Sequence, residues 1–502
     1  MDRSKRSNRS DESNDSNDSH RNDHDDRSHR GNRVNRTDLT DRGSRTDRSN
    51  RRDRATRITV IGGGLAGLTA AITAAESGTA VTLYEAHHTL GGRARTAEGP
   101  YLTNEGPHAL YSRGPHWAWL RRRGLLGPMA SPPAREAARF RFHRGGALRR
   151  TPPFGVFRLA RRPAQQAPVD TDFMTWATAL AGPDTARAAA HFAAVALFHD
   201  DPGSLSAAFV QERLRRAAAL PPEARYPVGG WGQLTDRMAG HAWNLGVRIE
   251  TAVRIDSLDA LPERGPVIVA TSLSAARRLL RDDGLRWTGG RTALLDLAVR
   301  ARGGDPFIVS DLDAPGWLER FTAQDPSLAP AGHELLQGQF PVGPGESAAA
   351  GIARAERLLD LGFPGWRGRT VWRREALATG RTGAVDLPGT TWRDRPRIDR
   401  GDGVYLAGDE VAAPGVLSEV SFNSGIAAAS LALKQLEQRA PDRRGREQQK
   451  PEQRGRERQW PEERRPEQQK PEQPGPEQRG PGQRGPGQRK GVGPAGVDLK
   501  HA

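Results

Sequence analysis

The stretch VIGGGLAGLTAA, from Val60 to Ala71, decides the fold of this 502-residue chain. The residues RITVI, 57–61, that lead into it are mostly β-branched, which predicts a short buried strand. Gly62, Gly64 and Gly67 follow in the pattern G-x-G-x-x-G, and small apolar residues then recur at helical spacing. The first glycine allows a tight turn, the second lets backbone approach a pyrophosphate, and the third lets the helix pack close to the strand. The stretch therefore predicts a strand, turn and helix that bind dinucleotide phosphates at the start of the helix.

The next strand indicates which dinucleotide binds. Gly78 ends the predicted helix, and AVTLYE, residues 80–85, has the pattern of a second strand. Glu85 falls at its end, where a carboxylate can accept hydrogen bonds from both hydroxyls of an adenosine ribose. An acidic residue there disfavours a 2′-phosphate, so the pattern leaves NAD or FAD.

Composition divides the chain into a core and two tails. Residues 1–54 are almost all Arg, Asp, Ser and Asn, and residues 439–502 are near-repeats of Pro, Glu, Gln, Arg and Gly. Such segments bury too little apolar surface to offset their ordering entropy, so both are predicted to be disordered. The net charge of +16 is spread out with both signs interspersed, so no nucleic-acid partner is expected.

The residue types that the chain lacks exclude several kinds of chemistry. It has no cysteine, which excludes disulfides, cysteine-ligated metal and thiol catalysis. Its 13 histidines show no tight ligand spacing, and no metal site is predicted. The sequence shows no secretory signal and no run near the roughly 18 apolar residues of a spanning helix. We therefore expect a cytoplasmic protein, with peripheral contact to a membrane left open.

Two further stretches resemble motifs of FAD-dependent oxidoreductases in the flavin amine oxidase and phytoene desaturase superfamily, which includes protoporphyrinogen oxidase-like proteins. LGGRART, residues 90–96, is similar to their glycine-doublet motif, and GVYLAGDEVAAPGVLSEVSFNSG, residues 403–425, is similar to their closing flavin motif. The resemblance implies that Arg93 approaches the FAD pyrophosphate and that Asp409 binds the ribityl chain. It also implies that a helix beginning near Leu417 points at the flavin pyrimidine edge. With no cysteine available for a covalent link, the FAD is expected to be non-covalent.

The resemblance places YLTNEGPHALYS, residues 101–112, close to the flavin ring. Gly106 would permit that approach, and His108 is the candidate catalytic residue, with an ordinary packed histidine as the alternative. The backbone of Val253 is expected beside the adenine. The expected cofactor contacts are Gly62, Gly64, Leu65, Ala66, Gly67, Glu85, Ala86, Gly91, Gly92, Arg93, Val253, Gly408, Asp409 and Leu417.

These motifs predict an α/β fold in which a Rossmann-like, two-dinucleotide-binding FAD domain is interleaved with a substrate domain of mixed sheet and helices. The segment from Met129 to Arg225 is expected to be mostly helical. The expected FAD-binding segments are residues 55–100, 226–290 and 395–438, and the expected substrate-domain segments are residues 101–225 and 291–394.

Missing residues also bear on the expected substrate. Amine oxidases of the superfamily carry a lysine that holds a water near flavin N5, whereas the predicted core has only Lys434, late in its final helix. An aromatic pair that would frame an amine is also not evident. We therefore expect hydride transfer to flavin N5 from a C–H bond of an apolar or ring-containing small molecule, with oxygen or a quinone as the electron acceptor. An amine oxidase-type flavoenzyme, a redox-neutral isomerase and a non-catalytic FAD-fold scaffold stay open as alternatives.

Overall fold

The computed structural model describes residues 57–106, 109–160, 166–262 and 265–439, without the side chains of residues 381 and 382. The two predicted tails and His108 lie outside these residues, apart from Arg439. The strands are β1 (Ile58–Ile61), β2 (Val81–Tyr84), β3 (Leu110–Tyr111), β4 (Met129–Ala130), β5 (Phe140–Arg144), β6 (Ala147–Arg149), β7 (Ala224–Pro227), β8 (Arg248–Glu250), β9 (Val267–Val269), β10 (Gly289–Arg300), β11 (Ile308–Asp311), β12 (Gly316–Arg320), β13 (His333–Pro341), β14 (Thr370–Ala384) and β15 (Val404–Leu406). The α-helices are α1 (Leu65–Ala75), α2 (Pro115–Arg122), α3 (Phe154–Ala160), α4 (Phe173–Ala181), α5 (Pro183–Ala193), α6 (Ala207–Ala217), α7 (Trp231–Asn244), α8 (Leu273–Leu280), α9 (Ala348–Gly362), α10 (Trp366–Arg369) and α11 (Ser418–Arg439).

A five-stranded parallel sheet in the order β15-β9-β1-β2-β8 contains the strands on both sides of the glycine-rich turn. Its strands come from the three segments expected to bind FAD, and β1 lies in the middle. The sheet is covered on both faces, as parallel sheets are. Helices α1, α7 and α11 share one apolar cluster with β1, and α8 packs beside Val267 and Val269 on the opposite face. The expected α/β fold with a parallel Rossmann-like sheet is therefore confirmed.

The second large sheet is mixed and has seven strands, in the order β14-β10-β13-β12-β11-β5-β6. Its pairings are antiparallel except for the parallel pair β11–β5. One face is apolar and packs on α9. On β10, β13 and β12 the register aligns Asp296, Gln337 and Glu319 in one buried row. Burial raises the pKa of Glu319 to about 7, against the hydrogen bonds from Tyr226 and Gln324.

The segment from Met129 to Arg225 is less helical than expected. Helices α3 to α6 form their own apolar core, but the segment begins with β4, β5 and β6 and ends in β7. The difference arises because β5 pairs with β11, which lies far along the chain, and local periodicity cannot show such a partner. Among the described helices, none is both long enough and apolar enough to cross a membrane.

Candidate dinucleotide-binding site

The glycine-rich turn after β1 is built around two glycines that the fold itself requires. Gly62 has a φ of +106°, and a Cβ there would lie 2.5 Å from the carbonyl oxygen of Ala270. A Cβ on Gly67 would lie 1.8 Å from the carbonyl oxygen of Gly62, so only glycine lets α1 pack this close to the turn. The side chains of Leu65 and Ala66 are buried, so this first turn can offer a ligand only backbone groups.

Gly64 differs from these two glycines because neither its own backbone conformation nor any described neighbour requires a glycine there. Its φ of −78° suits any residue, and a Cβ there would meet its nearest neighbours, Gly91 and Gly92, at an ordinary 3.9 Å. It is the N-cap of α1, yet it supplies no side-chain cap, and the first turn has no acidic residue. The positive end of the helix dipole is therefore left for an anion from outside the chain.

The glycine doublet predicted to face the pyrophosphate lies directly against this turn. Gly91 donates its N–H to the carbonyl of Gly63 at 2.8 Å, and a Cβ on Gly92 would lie 3.3 Å from Cα of Gly64. Both glycines of the doublet have positive φ angles, +102° and +57°. The two loops thus meet backbone to backbone, and the surface that they share is formed by peptide groups.

Glu85 is buried at the end of β2 and holds the turn in place. Its carboxylate accepts the N–H of Gly63 at 2.7 Å and the N–H of His87 at 2.9 Å. A carboxylate has about four acceptor positions, so two positions stay available for ribose hydroxyls. Val253 donates its N–H to the carbonyl of Glu85 at 2.9 Å, which leaves the Val253 carbonyl for the expected adenine contact. Ala86, the next expected contact, is exposed.

Arg93 and Asp409 form a bidentate ion pair across 316 residues of sequence. The two N···O distances are 2.7 and 2.5 Å, and the Asp409 carboxylate is nearly buried. Burial alone would raise the pKa of Asp409, but the Arg93 guanidinium holds it below its ordinary value. Sequence reasoning gave each residue its own contact with the cofactor and did not foresee that they bind each other.

Gly106 is close to Arg93 as well. A Cβ on Gly106 would lie 2.4 Å from the carbonyl oxygen of Arg93, so this glycine serves the packing of the chain on itself. Its expected approach to a flavin ring stays a prediction.

Helix α11 contacts both the loop at Gly408 and the first turn of α1. Sequence reasoning missed the two residues of α11 that make these contacts. The Ser424 side chain accepts the N–H of Gly408 and donates to the carbonyl of Gly408, both at 2.9 Å. A Cβ on Gly425 would lie 2.5 Å from the carbonyl oxygen of Ala66, which places the crossing of α11 over α1 at this residue. The small residues in SFNSG were the available signal, since close helix crossings need them.

The start of α11 is held in a strained conformation by buried charges. Leu417, the residue expected to begin the helix, precedes its first turn with a φ of +54°. Glu419 accepts the N–H of Val416 at 3.0 Å and pairs with Arg216 of α6 at 2.6 Å. Burial raises the pKa of Glu419, and Arg216 opposes that rise. A left-handed non-glycine residue costs about 1 kcal/mol or more and persists only where its surroundings fix it.

Asp409 contributes to the lining of two small cavities, and one of them lies at the carboxyl ends of β9 and β15, which is where open parallel sheets bind ligands. That cavity, of about 10 Å³, is lined by Thr271 and Glu410. Burial, together with the charge of Asp409, raises the pKa of Glu410 to about 7. The other, also of about 10 Å³, is the arginine cavity: it is lined by Ala196, Leu197, Phe209, Arg213, Gly383, Ala384, Arg395, Asp409, Leu417 and Val420.

One group of side chains in the described part of the chain has metal-ligand types, which sequence spacing did not reveal. His143, Asp311 and Asp313 place one ligand atom each within 4.8 Å of one another. Their atoms already have partners: His143 Nδ1 is 2.8 Å from Asp311, which accepts the N–H of Asp313, and Asp313 accepts the N–H of Gly145. These hydrogen bonds explain why the three side chains lie together: they hold the end of β11 and the turns beside it, and no metal is needed for that.

Comparisons with known proteins agree with this geometry. The family model described as NAD(P)-binding Rossmann-like domain matches residues 60–124. Among solved structures, the chain is similar to an oxidoreductase from Methanosarcina mazei, with 16% identity and a TM-score of 0.60 over 74% of this chain and 99% of that one. It is similar to cyclohexylamine oxidase from Brevibacterium oxydans IH-35A, with 18% identity and a TM-score of 0.59 over 76% and 100%. Reduced UDP-galactopyranose mutase matches with 14% identity and a TM-score of 0.55 over 76% and 96%.

A comparison with curated proteins finds no match. The structural similarities, all below 20% identity, concern the fold. They confirm the expected resemblance at that level: the chain shares the fold of these oxidoreductase, cyclohexylamine oxidase and mutase structures, and its residues 60–124 match a Rossmann-like domain model.

Proposed function

We propose that this protein is an FAD-dependent oxidoreductase that takes a hydride from a C–H bond of a small organic molecule. The observation that carries the proposal is Gly64, a glycine that neither its φ angle nor its neighbours require. A side chain there would fill the space in front of the uncapped end of α1, where a pyrophosphate would lie. The residues present therefore fit a dinucleotide.

Each further residue would have a defined role in holding FAD. Glu85 would accept the ribose hydroxyls with its two remaining acceptor positions, and the peptide groups at Gly91 and Gly92 would face the pyrophosphate. The Arg93–Asp409 pair would lie further along the cofactor, beside the start of α11. When bound, FAD supplies hydride acceptance and returns the electrons to an acceptor such as oxygen or a quinone.

The residues around the arginine cavity would keep water away from the reaction, since the cavity has room for about one water molecule. Leu197, Phe209 and Val420 give it apolar walls. Sixteen residues separate Lys434 from Ser418, or about 24 Å along α11, so this lysine is remote from the cavity. The only lysine in the described ranges thus cannot act there. This supports hydride transfer from carbon without the water-holding lysine that amine oxidases place near flavin N5.

Anaerobic reduction of the bound flavin tests this proposal. The FAD-loaded protein is mixed with panels of amines, hydroxy acids and cyclic compounds while flavin absorbance is followed, and oxygen or a quinone is then added. We expect one class to bleach the flavin and an acceptor to restore it, with steady consumption of the acceptor. Bound FAD that no class reduces would contradict the proposal and favour the scaffold. Turnover without acceptor consumption would favour a redox-neutral isomerase.

A further inference from the structure

Strand β14 is a long edge strand of the mixed sheet. The sheet order places it at one end, and within the described residues its backbone pairs with β10 alone. Its residues 372–379 follow that pairing without a break in register. An edge of this length leaves a row of N–H and C=O groups that can pair with another strand, and proteins usually protect such edges. The opposite edge of the sheet, β6, has only three residues.

The usual protections are not found in this part of the strand. Residues 372–379 contain no proline and no lysine, and the irregularities in the pairing with β10 lie beyond both of its ends. Two apolar side chains of β14 are exposed, Leu377 at 41% and Val371 at 38%. Between them lie Arg373 and Glu375, which are 33% and 47% exposed. The open edge thus carries apolar groups on either side of two opposite charges.

The order of these charges decides which partner strand fits. When two identical strands pair antiparallel about a two-fold axis, one residue lies opposite its own copy and its neighbours pair crosswise. With Arg374 on the axis, Arg373 lies opposite the partner's Glu375, and Glu375 lies opposite the partner's Arg373. Moving the axis by one residue would place Arg373 or Glu375 opposite its own copy, and like charges directly opposite are destabilising. The sequence of β14 therefore complements itself in this register.

The other pairs of this register are also compatible. Val371 lies opposite the partner's Leu377, so the contact would cover both of the exposed apolar side chains. Arg374, which faces its own copy, is already matched inside its own chain by the buried Asp296 at 2.6 Å. The two copies therefore bring no unmatched charge to the axis.

We propose that β14 pairs with β14 of a second copy of this chain, antiparallel and centred on Arg374, so that two mixed sheets join into one. Arg373 and Glu375 already pair along the strand at 2.6 Å, and in the dimer each would also face an opposite charge across the axis. A contact of this size is small, so a Kd of about 1–100 µM is expected. The inference goes beyond the proposed function, since none of these residues is an expected cofactor contact.

Charge reversal tests the pairing and its register together. Sedimentation equilibrium follows the full chain at about 1 to 200 µM, which spans the affinities of small interfaces. The variants are Arg373→Glu, Glu375→Arg and an equal mixture of the two. The control is Arg149→Glu, which reverses the same charge at an exposed position of β6, the other edge of the sheet. Circular dichroism melting checks that each variant is folded.

We expect the wild type and Arg149→Glu to dimerise alike. Arg373→Glu and Glu375→Arg should each dimerise at least about tenfold more weakly, because each places two like-charged pairs across the contact. In their mixture every glutamate at these positions again faces an arginine, so a mixed dimer should form with about the wild-type affinity.

A disulfide tests the same register without reversing a charge, because the chain has no cysteine of its own. Directly opposite residues have Cα atoms about 4.5–5.5 Å apart, which is within the range that a disulfide spans. Arg373→Cys mixed with Glu375→Cys should therefore crosslink in oxidised glutathione several-fold faster than either variant alone. This pair decides the question if a charge variant does not fold.

A wild type that stays monomeric over this range would overturn the proposal and leave the edge to a strand of another protein. A dimer that survives both charge reversals, or that Arg149→Glu dissociates, would also overturn it by placing the contact elsewhere. A mixture of folded variants that stays monomeric, or cysteine variants that crosslink no faster together than alone, would overturn the register and the proposal with it.

Discussion

Replacing Gly64 with serine should change stability and cofactor binding in opposite directions. Gly64 is the N-cap of α1, with φ −78° and ψ −174°, a conformation that serine adopts readily at helix N-caps. The new Cβ would lie 3.9 Å from its nearest neighbours, so it adds no strain. The serine hydroxyl would accept a hydrogen bond from a free N–H of the first turn. The free energy of unfolding should therefore rise by about 0.3 kcal/mol.

The same side chain would occupy the space in front of the helix where the pyrophosphate is expected. Loss of one or two hydrogen bonds to a charged group costs about 2–4 kcal/mol, which is a 30- to 1,000-fold weaker affinity for FAD. The assay pairs urea unfolding of the FAD-free proteins with titration of FAD followed by its fluorescence. Gly64→Ser protein that binds FAD as well as the wild type would refute the placement of the phosphates in front of α1. A large loss of stability would show that the turn itself requires glycine at this position.

Three further predictions test other parts of the structure. Gly67→Ala should destabilise the fold by about 3 kcal/mol, because the new Cβ would overlap a backbone carbonyl. The control Gly240→Ala, in α7 with no neighbour near the new Cβ, should stabilise the fold by about 1 kcal/mol. Urea unfolding measures both variants, and equal effects would contradict the close packing at Gly67. Glu85→Gln should weaken FAD binding about 30-fold, because an amide keeps only one acceptor oxygen. The control Glu76→Gln, at the far end of α1, should leave FAD affinity unchanged in the same fluorescence titration. Glu319 keeps its proton to about pH 7 when folded but releases it near 4.5 when unfolded, so the free energy of unfolding should fall by up to roughly 3 kcal/mol as the pH rises between these values. Glu319→Gln should lose this part of the pH dependence. Denaturation at pH 5 and pH 8 measures both proteins, and equal pH dependence in the variant and the wild type would contradict the raised pKa.

The parts of the site that the sequence could predict are local. The turn from Gly62 to Gly67 and the acid Glu85 lie within one β-α-β unit, where each residue's role follows from its position relative to a strand end. The helix α11 was also expected from a motif, as were separate cofactor contacts for Arg93 and Asp409, which stay predictions. Their mutual ion pair was not expected, because the two residues are 316 positions apart and nothing local shows the contact.

Burial depends on distant partners, and this is why the sequence did not reveal that Arg213 is buried. In the sequence it is one of several arginines in QERLRR, a pattern typical of an exposed helix face. In the structure its guanidinium lies over the Phe209 ring and donates to the carbonyl of Gly415, which is 202 positions away. The parallel pairing of β5 with β11, which makes part of the predicted helical segment a sheet, has the same origin. His108 lies outside the described residues, and its role stays a prediction.

The central claim is that this fold holds non-covalent FAD at the turn after β1. The most direct measurement is the visible absorption spectrum of the purified full chain, after addition of FAD and gel filtration, before and after heat denaturation. We expect flavin bands near ~450 nm that pass into the supernatant on denaturation, as for a dissociable flavin cofactor. A folded protein that stays colourless after FAD has been added would contradict the claim.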